Sequence, residues 1–383
     1  MIESLFCIFK IKMNELLRRN YAVFFLIPLF LRKSFYFFTY PRIWAEEGTV
    51  YFTSAVENGF KSIFLYQQGY YSIIPNVTLY VASLFNYSYI PYFTISISFI
   101  FWMIMFIIIN NINHESIKNN LILKNSIFIV VFFIINYYQE IFLNTINLQF
   151  ITGIIIFFLS LYDINKLSKN QYRLVLILIC ICILNGNLYL PFIPLLFYKL
   201  YNAKKYWSIG IITSIIALIT IGILNQNTDL SISQRLMSNL ALKKTIIIKN
   251  DLITIFKDNY YLILIPFIIY SFYKKSYFLL TLGLSILFSY LIIDFTKYEN
   301  FGGRYRAFVL SILNVYIVFL LKRSNKILLL YSFTIITYFS AFIFRFSYSN
   351  NYTLPLWKNE FKNLYENKPA HIHPETWKIE LKE

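Results

Sequence analysis

Long apolar stretches, separated by short polar connections, run through almost the whole chain. Repeated runs approach the roughly 17–25 residues that cross a bilayer as a helix, and they are continuous rather than alternating. The candidates are Tyr21–Phe38, Gly69–Phe85, Tyr89–Ile109, Asn125–Tyr137, Asn147–Tyr162, Leu174–Leu184, Leu188–Tyr198, Trp207–Leu224, Tyr260–Tyr273, Tyr277–Ile293, Ala307–Leu321 and Ile327–Phe344. The pattern predicts an all-α polytopic membrane protein with about 11 transmembrane helices, or about 12 if every candidate crosses.

Basic residues in the connections predict which side of the membrane each connection occupies. The positive-inside rule places Arg18 and Arg19, and with them the N-terminus, in the cytoplasm. It places four other connections there, namely Lys166–Arg173, Lys199–Lys205, Lys274–Lys275 and Lys322–Lys326. Counting crossings from these predicts four outer segments, which are Tyr138–Ile146, the basic loop 225–259, Asp294–Arg306 and the tail 346–383. The chain thus divides into a transmembrane domain, 1–345, and a short outer tail expected to pack against the outer loops.

The segment Gly69–Phe85 decides where the first loop lies. It is short, and Pro75 interrupts it. If it is a shallow or re-entrant segment kinked at Pro75, the first loop, 39–70, is outside and about 11 helices cross; if it spans the membrane, about 12 cross. Within that loop, the amphipathic pattern of Val50–Tyr66 predicts an interfacial helix on the outer surface.

Composition supports the membrane class. Of 383 residues, 58% are hydrophobic and only 14% are charged, whereas a soluble domain has about 25% charged residues. The net charge of +17 would suggest nucleic acid in a soluble protein. Because the basic residues are concentrated in short connections between apolar runs, we exclude nucleic-acid binding and expect the lipid bilayer as a partner. Three cysteines are too few for a disulfide framework.

The first candidate for chemistry is an acidic pair, Glu46 and Glu47, in the sequence RIWAEEGTVYF, Arg42–Phe52. A carboxylate pair at a membrane surface can act as a general base on a hydroxyl group, or it can hold a divalent metal ion through oxygen ligands. The alternative is that both are solvated loop charges. Trp44 and Gly48 flank the pair within an otherwise apolar and aromatic segment, which favours a functional role.

Two further clusters are candidates. Asn136, Glu140, Asn144 and Asn147 line one face if the helix is continuous there, and suit either a wet cavity for a hydroxyl-rich ligand or a polar seam between helices. After Gly302 and Gly303 come Arg304, Tyr305 and Arg306, whose guanidinium groups suit a lipid phosphate. Ordinary interfacial anchoring is the alternative. His114, His371 and His373 lack a nearby third ligand, so no metal site is expected from them.

Four short motifs resemble the C-type superfamily of integral membrane glycosyltransferases, in particular bacterial members associated with surface polysaccharide. The first is WAEEG, after the first predicted helix, and the second is GYYSIIPN, which follows WAEEG in the chain. The others are EIFLNTINLQF at Glu140–Phe150, and GGRYR together with a tail that closes in HPETWKIEL. The chain differs from better-known members in having Glu at both acidic positions, with no Asp, and in lacking a large outer domain.

The resemblance implies an inverting transfer of a sugar from a polyprenyl-phosphate donor to a glycan or lipid acceptor. The reaction would take place on the outer face of a bacterial inner membrane. Glu46 or Glu47 would be the base, Arg304 or Arg306 would hold the lipid phosphate, and Glu140 would line the acceptor pocket. No cofactor is implied beyond a possible divalent metal at the acidic pair.

Two other functions stay open at this point. In a surface-polysaccharide polymerase or translocase, the five basic residues of the loop 225–259 would be central. A non-enzymatic transporter would favour charges within the apolar runs, of which Arg32 and Lys33 are the clearest.

Overall fold

The structure is a computed structural model that describes residues 35, 37–67, 70–112, 124, 127, 131, 143–224, 312, 315, 357–366, 368–372 and 377–381. Helix accounts for 75% of the described residues, which agrees with the predicted helical class. Two helical segments, Tyr87–Asn110 and Tyr206–Leu224, are long and apolar enough to cross a membrane. The other predicted spans fall wholly or mostly outside the described residues or form shorter helices, so the number of crossings stays a prediction.

The helices and strands follow one another closely in the described part of the chain. The α-helices are α1 Thr53–Asn58, α2 Ile73–Ser83, α3 Ile90–Asn110, α4 Leu148–Ser160, α5 Lys169–Ile183, α6 Ile193–Asn202, α7 Tyr206–Leu224 and α8 Trp357–Tyr365. Two antiparallel hairpins join β1 Tyr66–Gln67 to β2 Tyr70–Tyr71 and β3 Ala370–Ile372 to β4 Trp377–Ile379. These hairpins are small exceptions to the predicted all-α class.

The ends of two helices differ from the apolar runs for local reasons. Helix α5 begins five residues before the run Leu174–Leu184, because the Ser168 hydroxyl accepts from the Gln171 backbone N–H and the Gln171 side chain accepts from the Ser168 backbone N–H. This capping box starts the helix in polar sequence. The run Leu188–Tyr198 begins instead with a 3₁₀ turn at Leu190–Phe192, and α6 starts only at Ile193.

Helix α4 is the centre of the bundle. Every residue from Leu148 to Ser160 is buried, and the helix packs against α3, α5 and α6. Its hydroxyl groups are hydrogen bonded, since Thr152 contacts the Gln149 carbonyl at 3.1 Å and the Asn185 carbonyl at 3.3 Å, and Ser160 donates to the Phe157 carbonyl at 2.6 Å. A helix enclosed on all sides is mostly apolar all round, as this one is.

One end of the bundle is built from chain segments that meet beside the start of α4. The backbone N–H of Ile73, at the start of α2, donates to the Leu184 carbonyl at 2.9 Å. The N–H of Gly186 donates to the Tyr71 carbonyl at 2.8 Å. Gly186 has φ 93, and a Cβ there would lie 2.7 Å from Gln149, so both conformation and space require glycine.

The other end of the bundle holds the basic connections. The Tyr162 hydroxyl, just after α4, donates to the Ile108 carbonyl near the end of α3 at 2.8 Å. The Lys205 ammonium lies 4.9 Å from the centre of the Tyr172 ring. The segments Lys166–Arg173 and Lys199–Lys205, both predicted to be cytoplasmic, therefore lie together, away from the segments around Gly186.

Helix α2 starts and finishes at the same end of the bundle. Its first residue bonds to Leu184, while Leu79 and Ala82 pack in one buried cluster with Phe52 and Ile90. Eleven residues span only about 16 Å as a helix, far less than a bilayer. The expected shallow placement of Gly69–Phe85 agrees with this geometry.

The expected kink at Pro75 is wrong. Pro75 is the third residue of α2. A proline in the first turn of a helix displaces no intrahelical hydrogen bond, because the first N–H groups of a helix have no acceptor within it. The helix therefore continues through this residue.

The first loop and the tail pack against each other. The predicted helix over Val50–Tyr66 is a series of helical turns, a π-helical turn Glu47–Phe52, then α1, then a 3₁₀ segment Gly59–Phe64. The tail covers the π-helical turn with β4 and reaches Tyr87 with α8. The Trp357 indole donates to the Tyr87 carbonyl at 2.8 Å, and the Tyr365 ring stacks on Tyr87 at 4.8 Å. The expected contact between tail and outer loop is thus present.

The packing predicts which engineered cysteines share a membrane side. In a background in which Cys7, Cys180 and Cys182 are alanine, we expect Lys61→Cys and Asn86→Cys to react with a membrane-impermeant maleimide from one side. These two positions share a side because α2 does not cross the bundle. Lys204→Cys lies at the opposite end and should react only from the other side of the membrane. Labelling of intact and permeabilised cells measures this. Reaction of Asn86→Cys together with Lys204→Cys would contradict the arrangement.

Candidate functional site

The acidic pair divides into one buried and one accessible carboxylate. Glu47 is 1% exposed. One oxygen, Oε1, accepts from the Thr145 backbone N–H at 2.5 Å and from the Thr145 hydroxyl at 2.6 Å. The other, Oε2, accepts from the Trp44 backbone N–H at 3.1 Å. The Glu47 carboxylate thus joins the first loop to the segment that leads into α4.

The local fold places this carboxylate inward. Glu47 reaches back three residues to the Trp44 N–H, which is half of a capping box at the start of a helical segment. The π-helical turn that follows begins at Glu47 itself. Next to it, Gly48 leaves room for the tail, since a Cβ there would lie 2.7 Å from Cδ1 of Ile372 and 2.8 Å from Cδ1 of Ile379.

Burial changes the acid strength of Glu47. Removal from water raises the pKa of the Glu47 carboxyl from 4.5 to about 7, and the negative charge of Glu46 adds to this. The hydrogen bonds from Thr145 and Trp44 oppose the rise, because they stabilise the ionised form. Glu47 consequently changes its charge near neutral pH, while its oxygens are already bonded on the protein side.

Glu46 is differently placed. Its side chain is partly exposed. Within the part of the chain that the structure describes, its carboxylate forms no hydrogen bond. Burial holds the pKa of the Tyr51 phenol well above its usual range, and the nearby Tyr70 and Glu46 raise it further. Because Glu46 is partly exposed and has no described hydrogen bond, it is the carboxylate of the pair that can reach a ligand.

The predicted stripe of Asn136, Glu140, Asn144 and Asn147 does not form a continuous helix through its second half. Leu143 has φ 55, residues 143–147 form turns, and α4 begins only at Leu148. Asn144 and Asn147 are buried, and the Asn144 side-chain oxygen accepts from the Asn147 N–H at 2.9 Å. This bond closes the turn that leads into α4. Asn136 and Glu140 lie outside the described residues.

Trp44 lies against the same loop. It is 9% exposed, and the Arg42 guanidinium lies 5.5 Å from the centre of its ring and 4.6 Å from that of Phe37. The tryptophan therefore packs beneath a cation at the edge of the site. The predicted phosphate-binding residues Arg304, Tyr305 and Arg306 lie outside the described residues, as does the loop 225–259.

Several polar residues that complete this end of the bundle were not predicted from the sequence. Thr145 is fully buried and holds Glu47, yet within EIFLNTINLQF only the asparagines and the glutamate were singled out. Asn185 is 2% exposed, accepts from the Ile74 N–H at 3.3 Å and contacts Thr152. The polar sequence LNGN between two apolar runs was the available signal for Asn185.

The described residues do not assemble a metal centre. No group of three or more His, Cys, Asp or Glu side chains that could hold an ion is present among them. At the acidic pair, both Glu47 oxygens accept hydrogen bonds from the protein, so the described partners leave Glu46 as the accessible oxygen donor. His371 lies exposed on β3, and His114 and His373 fall outside the described residues.

No protein-family model, curated protein or solved structure matches the chain. The resemblance to C-type glycosyltransferases therefore stays a prediction from the motifs. The function has to be inferred from the geometry of the acidic pair and its surroundings.

The raised pKa of Glu47 predicts a pH-dependent stability. A carboxyl whose pKa is higher in the folded state contributes stability that is complete below pH 4.5, its ordinary pKa. This stability is lost as the pH rises through about 7, the pKa in the folded state. We expect the unfolding free energy of the wild type, relative to that of Glu47→Gln, to fall by on the order of 3 kcal/mol between about pH 4.5 and pH 8. Denaturation of the two detergent-solubilised proteins across this range measures the difference. A relative gain by the wild type with rising pH would contradict it.

Gly48 provides a second test of the packing. We expect Gly48→Val to lower stability by about 1–3 kcal/mol, because the new side chain overlaps Ile372 and Ile379. Gly210→Val is the matched control, since Gly210 also lies in a helix and no atom of the described residues lies within 4 Å of its would-be Cβ. The midpoints of thermal unfolding give the comparison, and equal losses for the two variants would exclude close packing of the tail on Gly48.

Proposed function

We propose that the protein is a membrane glycosyltransferase of the C type, which moves a sugar from a polyprenyl-phosphate donor to a cell-surface glycan or lipid acceptor. Its active site would be at the end of the bundle that holds Glu46 and Glu47. The proposal extends to a bacterial inner membrane, with this end on the outer side and the N-terminus in the cytoplasm.

The observation that carries the proposal is the contact between Glu47 and Thr145. It joins WAEEG and EIFLNTINLQF, two motifs that lie almost a hundred residues apart and that carry the resemblance. The described parts of GYYSIIPN and of the closing tail sequence lie at the same end of the bundle. Convergence of separate motifs at one end favours a shared site over an independent structural role for each motif.

The two carboxylates would have different roles. Glu46 is the accessible group, so we assign it as the base that takes the proton from the acceptor hydroxyl. Glu47 is a positioning residue, because its oxygens are bonded to Thr145 and Trp44. Burial raises the pKa of Glu47 to about 7, so Glu47 becomes neutral as the pH falls below this value. Loss of its charge reduces the repulsion between the adjacent carboxylates.

The reaction balances with these groups. The acceptor oxygen would bond to the anomeric carbon as its proton passes to Glu46. The bond from that carbon to the lipid phosphate oxygen would break on the opposite side, so the configuration inverts and polyprenyl phosphate leaves. Arg304 and Arg306, outside the described residues, are the proposed partners of the phosphate, since guanidinium groups pair well with phosphate oxygens.

The proposed roles predict a separation between activity and folding. We expect Glu46→Gln to lower product formation by at least about 100-fold, as removal of a general base does, with protein level and melting temperature unchanged. Glu380→Gln, an exposed glutamate on the tail, is the matched control and should keep full activity. The measurement is the profile of glycans and lipid-linked intermediates in a deletion strain that carries each variant. Full activity of Glu46→Gln would exclude the assigned base.

A further inference from the structure

The end of the bundle opposite the acidic pair concentrates positive charge. Between residues 163 and 206 the only acidic side chain is Asp163. Its carboxylate lies 2.8 Å from the Lys166 ammonium, and this contact lowers the pKa of Asp163. The basic side chains of the same stretch are Lys166, Lys169, Arg173, Lys199, Lys204 and Lys205. Most of this positive charge is therefore not balanced by carboxylates of its own stretch.

Two connections form this basic end together. Lys205, before α7, places its ammonium 4.9 Å from the centre of the Tyr172 ring in α5. The Tyr172 hydroxyl is hydrogen bonded to the Ser208 hydroxyl. The capping box at Ser168 fixes where α5 begins, and thereby the position of Lys169 in its first turn. The basic side chains are thus presented by ordered helix ends, which are held together.

Exposed aromatic side chains border the basic end. Trp207 is 90% exposed, and Tyr201 and Tyr206 are 62% and 55% exposed. The rings of Tyr201 and Tyr206 meet edge to face, with centres 5.7 Å apart. Tyr206 and Trp207 are the first residues of α7, one of the two helices long and apolar enough to cross a membrane. Tryptophan and tyrosine favour the boundary between headgroups and hydrocarbon.

We infer that this basic end is a binding site for the headgroups of anionic phospholipids. Lys204 and Lys205 directly precede Tyr206 and Trp207, which mark the headgroup level, so their charges lie at the depth of lipid phosphates. Each Lys or Arg near an anionic membrane surface strengthens binding about fivefold. The exposed rings add apolar contact with the acyl chains, which a free anion cannot use. The inference does not depend on the proposed function.

The purified full-length protein in a neutral detergent tests this site. The rise in melting temperature is measured against added short-chain phosphatidylglycerol, short-chain phosphatidylcholine and inorganic phosphate. We expect half-saturation at a concentration at least about tenfold lower for phosphatidylglycerol than for phosphatidylcholine, since several cations act together. Inorganic phosphate at the same concentrations should give no comparable rise. An equal rise with inorganic phosphate, or equal half-saturation for the two lipids, would overturn the inference.

Charge-neutralised variants locate the site. Lys169, Arg173 and Lys204 are exposed, so Lys169→Gln, Arg173→Gln and Lys204→Gln are combined in one protein. We expect its half-saturation with phosphatidylglycerol to rise at least about tenfold, with that for phosphatidylcholine unchanged. The control combines Lys358→Gln, Lys362→Gln and Lys378→Gln, three exposed lysines of the tail at the other end, and should keep the preference.

The variants show whether the lipid site lies at the basic end of the bundle. A preference for phosphatidylglycerol that survives in the first triple variant, or that is lost equally in the control, would contradict the location. If the triple variant does not fold, Lys169→Gln alone gives the same test with a smaller expected effect, about threefold to fivefold, since one charge of about 1 kcal/mol is removed. No weakening in that variant would then overturn the inference.

Discussion

The buried carboxylate of Glu47 is the interaction on which this end of the protein depends. Its two oxygens accept three hydrogen bonds, from Trp44 and from both the backbone and hydroxyl of Thr145. A buried carboxylate is costly unless it is bonded in this way, so the loop and the segment before α4 have to be arranged around it. The tail then closes over the adjacent Gly48. One bonded side chain thereby holds Glu46, its neighbour in sequence, at the surface of the site.

The same arrangement gives the molecule two chemically different ends. Near Glu47 the chain brings together carboxylates, amides, hydroxyls and aromatic rings from several segments. At the opposite end, basic side chains lie near the start of α7, where Tyr206 and Trp207 are exposed and Lys205 lies against the Tyr172 ring. Between them lies α4, buried on every side. Such polarity suits a protein that uses one membrane surface for the proposed chemistry and the other for the proposed attachment to headgroups.

Much of the fold follows from the apolar pattern, and the site follows from it less well. The run Tyr89–Ile109 differs from α3 by one residue at each end. In a membrane a long apolar segment has to satisfy its backbone hydrogen bonds within itself, so a helix over the whole run is expected. The described half of the stripe ending at Asn147 is interrupted at Leu143, whose positive φ is not encoded in the periodicity of the sequence. Glu46 and Glu47 were singled out as a pair. Which of the two is buried depends on Thr145, a distant residue that the sequence does not link to them.

A double-mutant cycle between Glu47 and Thr145 tests most directly whether these residues hold the site together. The unfolding free energies of the wild type, Glu47→Gln, Thr145→Val and the double variant are compared at a pH where Glu47 is ionised. Hydrogen bonds to a charged group are worth about 1.5–3 kcal/mol, so a coupling energy of that size is expected. A coupling energy near zero would show that the two segments are held by other contacts and would contradict the assignment of Glu47 as the positioning residue.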